Sequence, residues 1–155
     1  MLSEPQLQAW ARFLQAHSAI TRRLERELAD EHALTLSDYD VLVQLAQAPG
    51  ARLRPVELAR AVLLTRSGIT RLVQGLERAG LVERVDCLED RRGWLVQLTP
   101  RGVEALRRAA ATHLRGVAEL FADRFDARET ATLSALLDRL PGAPPAERRA
   151  GAEAA

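Results

Sequence analysis

The sequence predicts a mainly α fold with one small β-hairpin, and three observations carry that prediction. Apolar residues recur at spacings of three and four from residue 4 to 31 and again from 103 to 140. Between those two stretches lie shorter amphipathic segments that end on Pro or Gly. Near the middle, "LVERV" and "WLVQL" are two β-favouring runs separated by the charged connector "DCLEDRRG".

The first helix spans 4–31, with Leu7, Trp10, Leu14, His17, Thr21, Leu24 and Leu28 on one stripe that Phe13 and Ile20 widen. So wide a stripe needs more than one packing partner. A second helix follows, with Ser37 as expected N-cap and Tyr39, Val41, Leu42 and Leu45 inward, and stops at Pro49 and Gly50. Pro55 suits the first turn of a third helix that turns Leu58, Ala59 and Val62 inward and ends near Val62. Thr65 caps a fourth, whose Ile69, Leu72, Val73 and Leu76 fall at i, i+3, i+4 and i+7 before Gly80 ends the pattern. After the hairpin, Thr99 and Pro100 open a long helix with Val103, Leu106, Ala110, His113, Val117 and Leu120 on its stripe. A last helix after Asp126 carries Leu133, Leu136, Leu137 and Leu140, and the tail 142–155 has the Ala, Pro and Gly content expected of disorder.

Composition narrows the function. The 155 residues are 47% hydrophobic, enough for a sizeable core, and the formal net charge is +1, too small for a generic polyanion binder. The charge is uneven, however: residues 52–92 hold 9 Arg against 6 acids, whereas 1–51 hold 4 against 7. One cysteine, Cys87, excludes an internal disulfide and a thiolate metal site. No apolar run approaches the ~18 residues of a membrane helix, and the N-terminus lacks a signal-peptide layout, so a soluble, cytoplasmic protein without membrane contact is expected. No nucleophile elbow, phosphate loop or HExxH motif occurs, which argues against an enzyme. His17, His32 and His113 lack metal-ligand spacing, and neither a metal nor a cofactor is expected.

The polar side of the fourth helix is informative. Thr65, Arg66, Ser67, Thr70, Arg71 and Gln74 gather there, all of kinds that hydrogen-bond phosphates or base edges. Two helices joined by a short turn, the second with such a face, match a helix-turn-helix reader of the DNA major groove. A hairpin directly after it makes a winged helix. Arg91 and Arg92 lie near the loop tip to enter the minor groove, Asp90 can hold an arginine in its reaching geometry, and Gly93 permits the return.

These residues resemble the MarR family of bacterial transcription regulators over about residues 5 to 140. The motifs that carry the resemblance are "ELARAVLLTRSGITRLVQGLERAGLVER" and "DRRGWLVQLTPRG", the latter with Asp90, Arg92, Gly93, Leu98, Thr99 and Gly102 in the family's wing pattern; Trp94 stands where a smaller apolar residue is common. The resemblance implies a homodimer with a winged helix-turn-helix domain over 35–100 and a helical dimerisation region over 1–34 and 101–141. Leu7, Leu14, Leu106, Val117, Leu133 and Leu137 would lie in its seam. It further implies double-stranded DNA as partner, with Arg92 in the minor groove supported by Asp90, and Arg66, Ser67, Thr70 and Arg71 on bases and phosphates. The function implied is a repressor released from an inverted-repeat operator by a small-molecule effector; the alternatives are an activator, an architectural DNA binder or a winged-helix protein-interaction module. Trp10, Phe13, His17 and His113 are either walls of a cleft for a small aromatic or amphipathic effector, or dimer-core residues. Family members that sense peroxide place their thiol near the first helix, so Cys87 is expected to be an ordinary strand-end residue.

Overall fold

The computed structural model describes residues 1–62, 66–87 and 93–141. Among them are six α-helices and three strands: α1 (Glu4–His32), α2 (Leu36–Gln47), β1 (Arg52–Leu53), α3 (Pro55–Ala61), α4 (Arg66–Arg78), β2 (Val82–Asp86), β3 (Trp94–Leu98), α5 (Pro100–Leu120) and α6 (Ala127–Leu137). The chain forms two compact units, Met1–Gly116 and Val117–Ala155. No helix among the described residues is long and apolar enough to cross a membrane.

The first unit is organised around Leu28, Val41, Leu42, Leu45, Leu58, Ile69, Val73 and Val96, all essentially solvent-free. Full burial of each Leu or Ile contributes about 1.5–3 kcal/mol relative to exposure. The residues come from α1, α2, α3, α4 and β3, so the helix-turn-helix pair shares one core with the hairpin. The inward sets expected for α2, α3 and α4 are buried, except that Val62 and Leu72 are half-buried at the core's margin.

Three expectations change in detail. The N-cap of α2 is Thr35, not Ser37: Thr35 Oγ1 accepts from the Asp38 N–H at 3.0 Å while the Asp38 carboxylate accepts from the Thr35 N–H at 2.9 Å. A reciprocal capping box satisfies two orphan donors at once, and Ser37 lies inside the helix, which already begins at Leu36. The hairpin is part of a three-stranded antiparallel sheet, ordered β1-β3-β2, because Arg52 and Leu53 pair with Gln97 and Val96. On α5 the residues buried within this chain are Gly102, Ala109, Thr112 and Gly116, a face distinct from the stripe read as a seam, and Val103 is exposed. At Gly116 a side chain is excluded because α1 comes close; a Cβ there would stand 2.6 Å from Leu24 Cδ2 and 2.8 Å from Glu27 Oε2.

One junction sets how α4, the sheet and α5 meet. Gly80 ends α4 with φ +70°, a left-handed turn suited to glycine. Thr99 then uses its hydroxyl to reach the Gly80 carbonyl at 2.8 Å and its N–H to reach the Leu81 carbonyl at 3.1 Å, while accepting from the Gly102 N–H at 3.0 Å. A Cβ on Gly102 would run into the Leu81 carbonyl oxygen. Gly102→Ala is therefore expected to destabilise the protein by about 3 kcal/mol, whereas Gly75→Ala, with nothing within 4 Å of the added Cβ, should stabilise it by about 1 kcal/mol. Urea unfolding midpoints moving in opposite directions for the two variants are the expected result.

Candidate nucleic-acid interface

The apolar positions of α4 determine which face it leaves outside. Ile69, Val73 and Leu76 are buried and Leu72 packs beside them, so Thr70, Arg71 and Gln74 come together on the exposed side. Arg78 shares that side, and its Nε donates to the Gln74 carbonyl at 3.2 Å. The sequence reading did not single out Arg78, although its spacing of four from Gln74 and seven from Arg71 was available. Arg66 and Ser67 form the first turn of α4; their side chains, like the whole of Thr65, Asp90, Arg91 and Arg92, lie outside the described residues.

The strands that carry the charged loop are closed by a backbone bond from the Cys87 N–H to the Gly93 carbonyl at 3.1 Å. Cys87 is buried, and Arg54 Nη2 donates to its Sγ at 3.4 Å. On β2, Arg84 bonds in two-point fashion to Glu77 of α4, Nε to Oε1 at 2.9 Å and Nη2 to Oε2 at 3.0 Å. The same guanidinium lies over the Trp94 ring, its central carbon 4.3 Å from the ring centroid. Trp94 is half-buried at the margin of the core. An ion pair this exposed contributes about 0.2–1 kcal/mol to stability, so its main effect is on geometry.

A model of the MarR family matches residues 32–93, which include α2, β1, α3, α4 and β2. A candidate transcriptional regulatory protein for the hcr operon of Thauera aromatica is 34% identical over 122 residues, covering 79% of this chain and 72% of that protein. The crystal structure of AbsC, a MarR family transcriptional regulator from Streptomyces coelicolor, is 32% identical with a TM-score of 0.83, covering 88% of this chain and 92% of AbsC. Sco3205, another MarR family regulator of Streptomyces coelicolor, solved in complex with DNA, is 33% identical with a TM-score of 0.84, covering 88% and 86% of the two chains. The chain belongs to the MarR family. It is a transcription regulator, not an enzyme.

In this MarR-family chain the four residues named for an effector cleft divide into two groups. Trp10, Phe13 and His17 form a row along α1, with successive ring centroids 6.0 and 6.2 Å apart. His113 instead packs on Tyr39, ring to ring at 4.5 Å. A cleft of about 650 Å³ lined by Thr21, Arg22, Glu25, Arg26 and Leu36 contains none of the four. Of the seam residues, Leu7 and Leu14 are exposed, Leu106 is half-buried against the core, and Val117 and Leu133 are half-buried. Leu137 ends α6, more than a third exposed. Among the described residues, no group of three His, Cys, Asp or Glu is placed to hold a metal ion.

Polar contacts join the end of α1 to α5. Thr112, almost wholly buried, donates to Glu31 Oε2 at 2.8 Å and lies 2.8 Å from His32 Nε2, and Arg115 Nη2 reaches Glu31 Oε1 at 2.7 Å. The Thr112 hydroxyl, and with it Arg115 and His32, hold the Glu31 carboxyl below its usual range. Burial raises the Asp40 carboxyl, helped by the nearby charge of Glu25. Tyr39 is raised by burial and by Asp40.

Burial lowers the His113 pKa below the ordinary 6.5, and its Nδ1 has no hydrogen-bond partner among the described residues. The unfolded chain therefore takes up this proton first. The stability contributed by neutral His113 is complete above about pH 6.5 and is lost as the pH falls below it. His113→Phe keeps a ring on Tyr39 and removes the proton, so between about pH 7.5 and about 5.5 its urea midpoint should fall less than that of the wild type. Equal falls would assign the acid sensitivity to other groups.

Proposed function

We propose that this chain is a dimeric, sequence-specific DNA-binding repressor in which 35–100 forms the winged helix-turn-helix and 1–34 with 101–141 the dimerisation region. The observation that carries the reading is α4: one face is locked into the core by Ile69, Val73 and Leu76, and the other presents Thr70, Arg71, Gln74 and Arg78 outward, with a hairpin beside it. Arg66 and Ser67 precede that face in sequence and extend its chemistry. In the proposed complex α4 enters the major groove, where arginine contacts to phosphate supply salt-dependent affinity and the polar side chains supply base choice. Arg91 and Arg92 reach the minor groove from the hairpin loop, with Asp90 orienting them.

Dimerisation is supported by α1. Its front half leaves Leu7, Trp10, Phe13 and Leu14 exposed, whereas Leu24 and Leu28 at the back are buried in the first unit. Burying those four side chains against a second copy removes an apolar patch from water. Two copies present two α4 helices to successive major grooves, so the operator is an inverted repeat with half-sites about 10 bp apart. A small aromatic or amphipathic effector that stacks on the Trp10, Phe13 and His17 row would alter the spacing of the lobes, and a coupling of about 1–3 kcal/mol gives roughly 5- to 150-fold release.

Selection of bound duplexes from a random pool, followed by fluorescence anisotropy over a range of salt concentrations, tests the reading. Arg92→Ala is expected to weaken binding to every sequence and to lower the salt slope by about one, while Arg71→Ala also changes base preference. Selection that yields no preferred sequence would replace the regulator by a non-specific DNA binder. Independently, Leu7→Asp combined with Leu14→Asp should sediment as a monomer; a variant that remains dimeric places the seam elsewhere.

A further inference from the structure

We propose that Arg84 is a positioning residue that orients the wing against the recognition helix, with Glu77 and Trp94 as its two supports. The inference rests on the reading of α4 and the β2–β3 hairpin as joint DNA contacts. It concerns a different question, namely what fixes the angle between them.

The register of the sheet explains how three residues from three elements meet. Arg84 is paired with Val96, and Trp94 with Asp86, so Arg84 and Trp94 are diagonal neighbours on the face of the sheet that carries buried Val82, Val96 and Leu98. Diagonal positions on one face are within reach of long and aromatic side chains. The indole forms a floor for the guanidinium at 4.3 Å, and the two bonds to Glu77, at 2.9 and 3.0 Å, fix the direction of its fork. Together they determine both the plane and the heading of the group. Lysine at this position would bring a point charge and neither constraint.

The tie spans the turn in which the chain leaves α4. Glu77 lies in the last turn of the helix, Gly80 takes its left-handed conformation three residues later, and Arg84 sits in the middle of β2. Thr99 anchors the base of the strands to the turn after α4, and the tie adds a second point of attachment farther toward the loop. With it, the strands that flank the loop are held at one angle to the face of Thr70, Arg71 and Gln74. Trp94, the residue at which the wing departs from the common family pattern, thereby acquires a role. The Arg84 side chain is 43% exposed, so solvent screens the pair and its effect is read in binding geometry more than in melting.

The test uses the full-length chain and a duplex taken from the selection described above, with affinity followed over a salt series and stability by urea midpoint. Arg84→Ala, Arg84→Lys and Trp94→Leu are compared with Arg92→Ala. Arg84→Ala and Arg84→Lys should each weaken binding by about tenfold and lower the salt slope by about one, with the urea midpoint of Arg84→Lys unchanged. Arg84→Ala combined with Arg92→Ala should bind no worse than Arg92→Ala alone, because both remove the same contact. Full affinity in Arg84→Lys, additive losses in the double variant, or losses that follow the urea midpoint across all variants would each overturn the positioning role. If Arg92→Ala itself binds as the wild type does, the wing reading fails and this inference fails with it; loss in Arg92→Ala alone removes the inference and leaves the wing.

Discussion

The Thr99 hydroxyl and the missing side chain of Gly102 fix how the end of α4, β2, β3 and the start of α5 meet over the core they share. The carbonyls of Gly80 and Leu81, in the turn after α4, need donors, the N–H groups at the start of α5 need acceptors, and Thr99 supplies both within one residue. Because β3 leads directly into α5 at this point, the sheet cannot shift without moving the helix that follows. Any displacement of α5 is accordingly passed to the end of α4 through hydrogen bonds of about 3 Å instead of through a flexible linker. The proposed release, in which a change among the long helices alters contact with DNA, would use a stiff joint of this kind.

The fold was readable at most places where one residue's role depends on its neighbours in sequence, the α2 cap at Thr35 excepted. The α4 face, with Ile69, Val73 and Leu76 at regular spacing and Gly80 as its stop, is decided locally. So are the caps Thr99 and Asp126, the latter accepting from the Glu129 N–H at 2.8 Å. Strand β1 was not readable, because two residues show no alternation and their pairing with β3 is a tertiary event. The face of α5 that packs inside this chain was missed for a related reason. Gly102, Ala109 and Gly116 carry little apolar bulk, so a pattern of large side chains points away from a face that a neighbouring helix approaches closely.

The candidate interface divides in the same manner. Thr70, Arg71 and Gln74 follow from helical period once the buried side is known. The meeting of Glu77, Arg84 and Trp94 requires the sheet register, which no spacing in the sequence reveals. Trp94 was noticed as unusual from sequence, but the partner that makes sense of it lies ten residues away on another strand. His113 shows the reverse case: its position on the α5 stripe suggested company with Trp10 and Phe13, whereas its ring rests on Tyr39 of α2.

Strand order has a consequence for how copies of this chain avoid sticking to one another. With β3 in the centre, the sheet's two edges are β1 and β2. One edge offers just two residues, the first of them Arg52, and the other places Glu83, Arg84 and Asp86 among its five. A short edge and a charged edge are both poor templates for a foreign strand. Growth of the sheet from molecule to molecule is thereby discouraged. Under the proposed dimerisation through α1, that protection would direct self-recognition toward helices and away from fibrous aggregation.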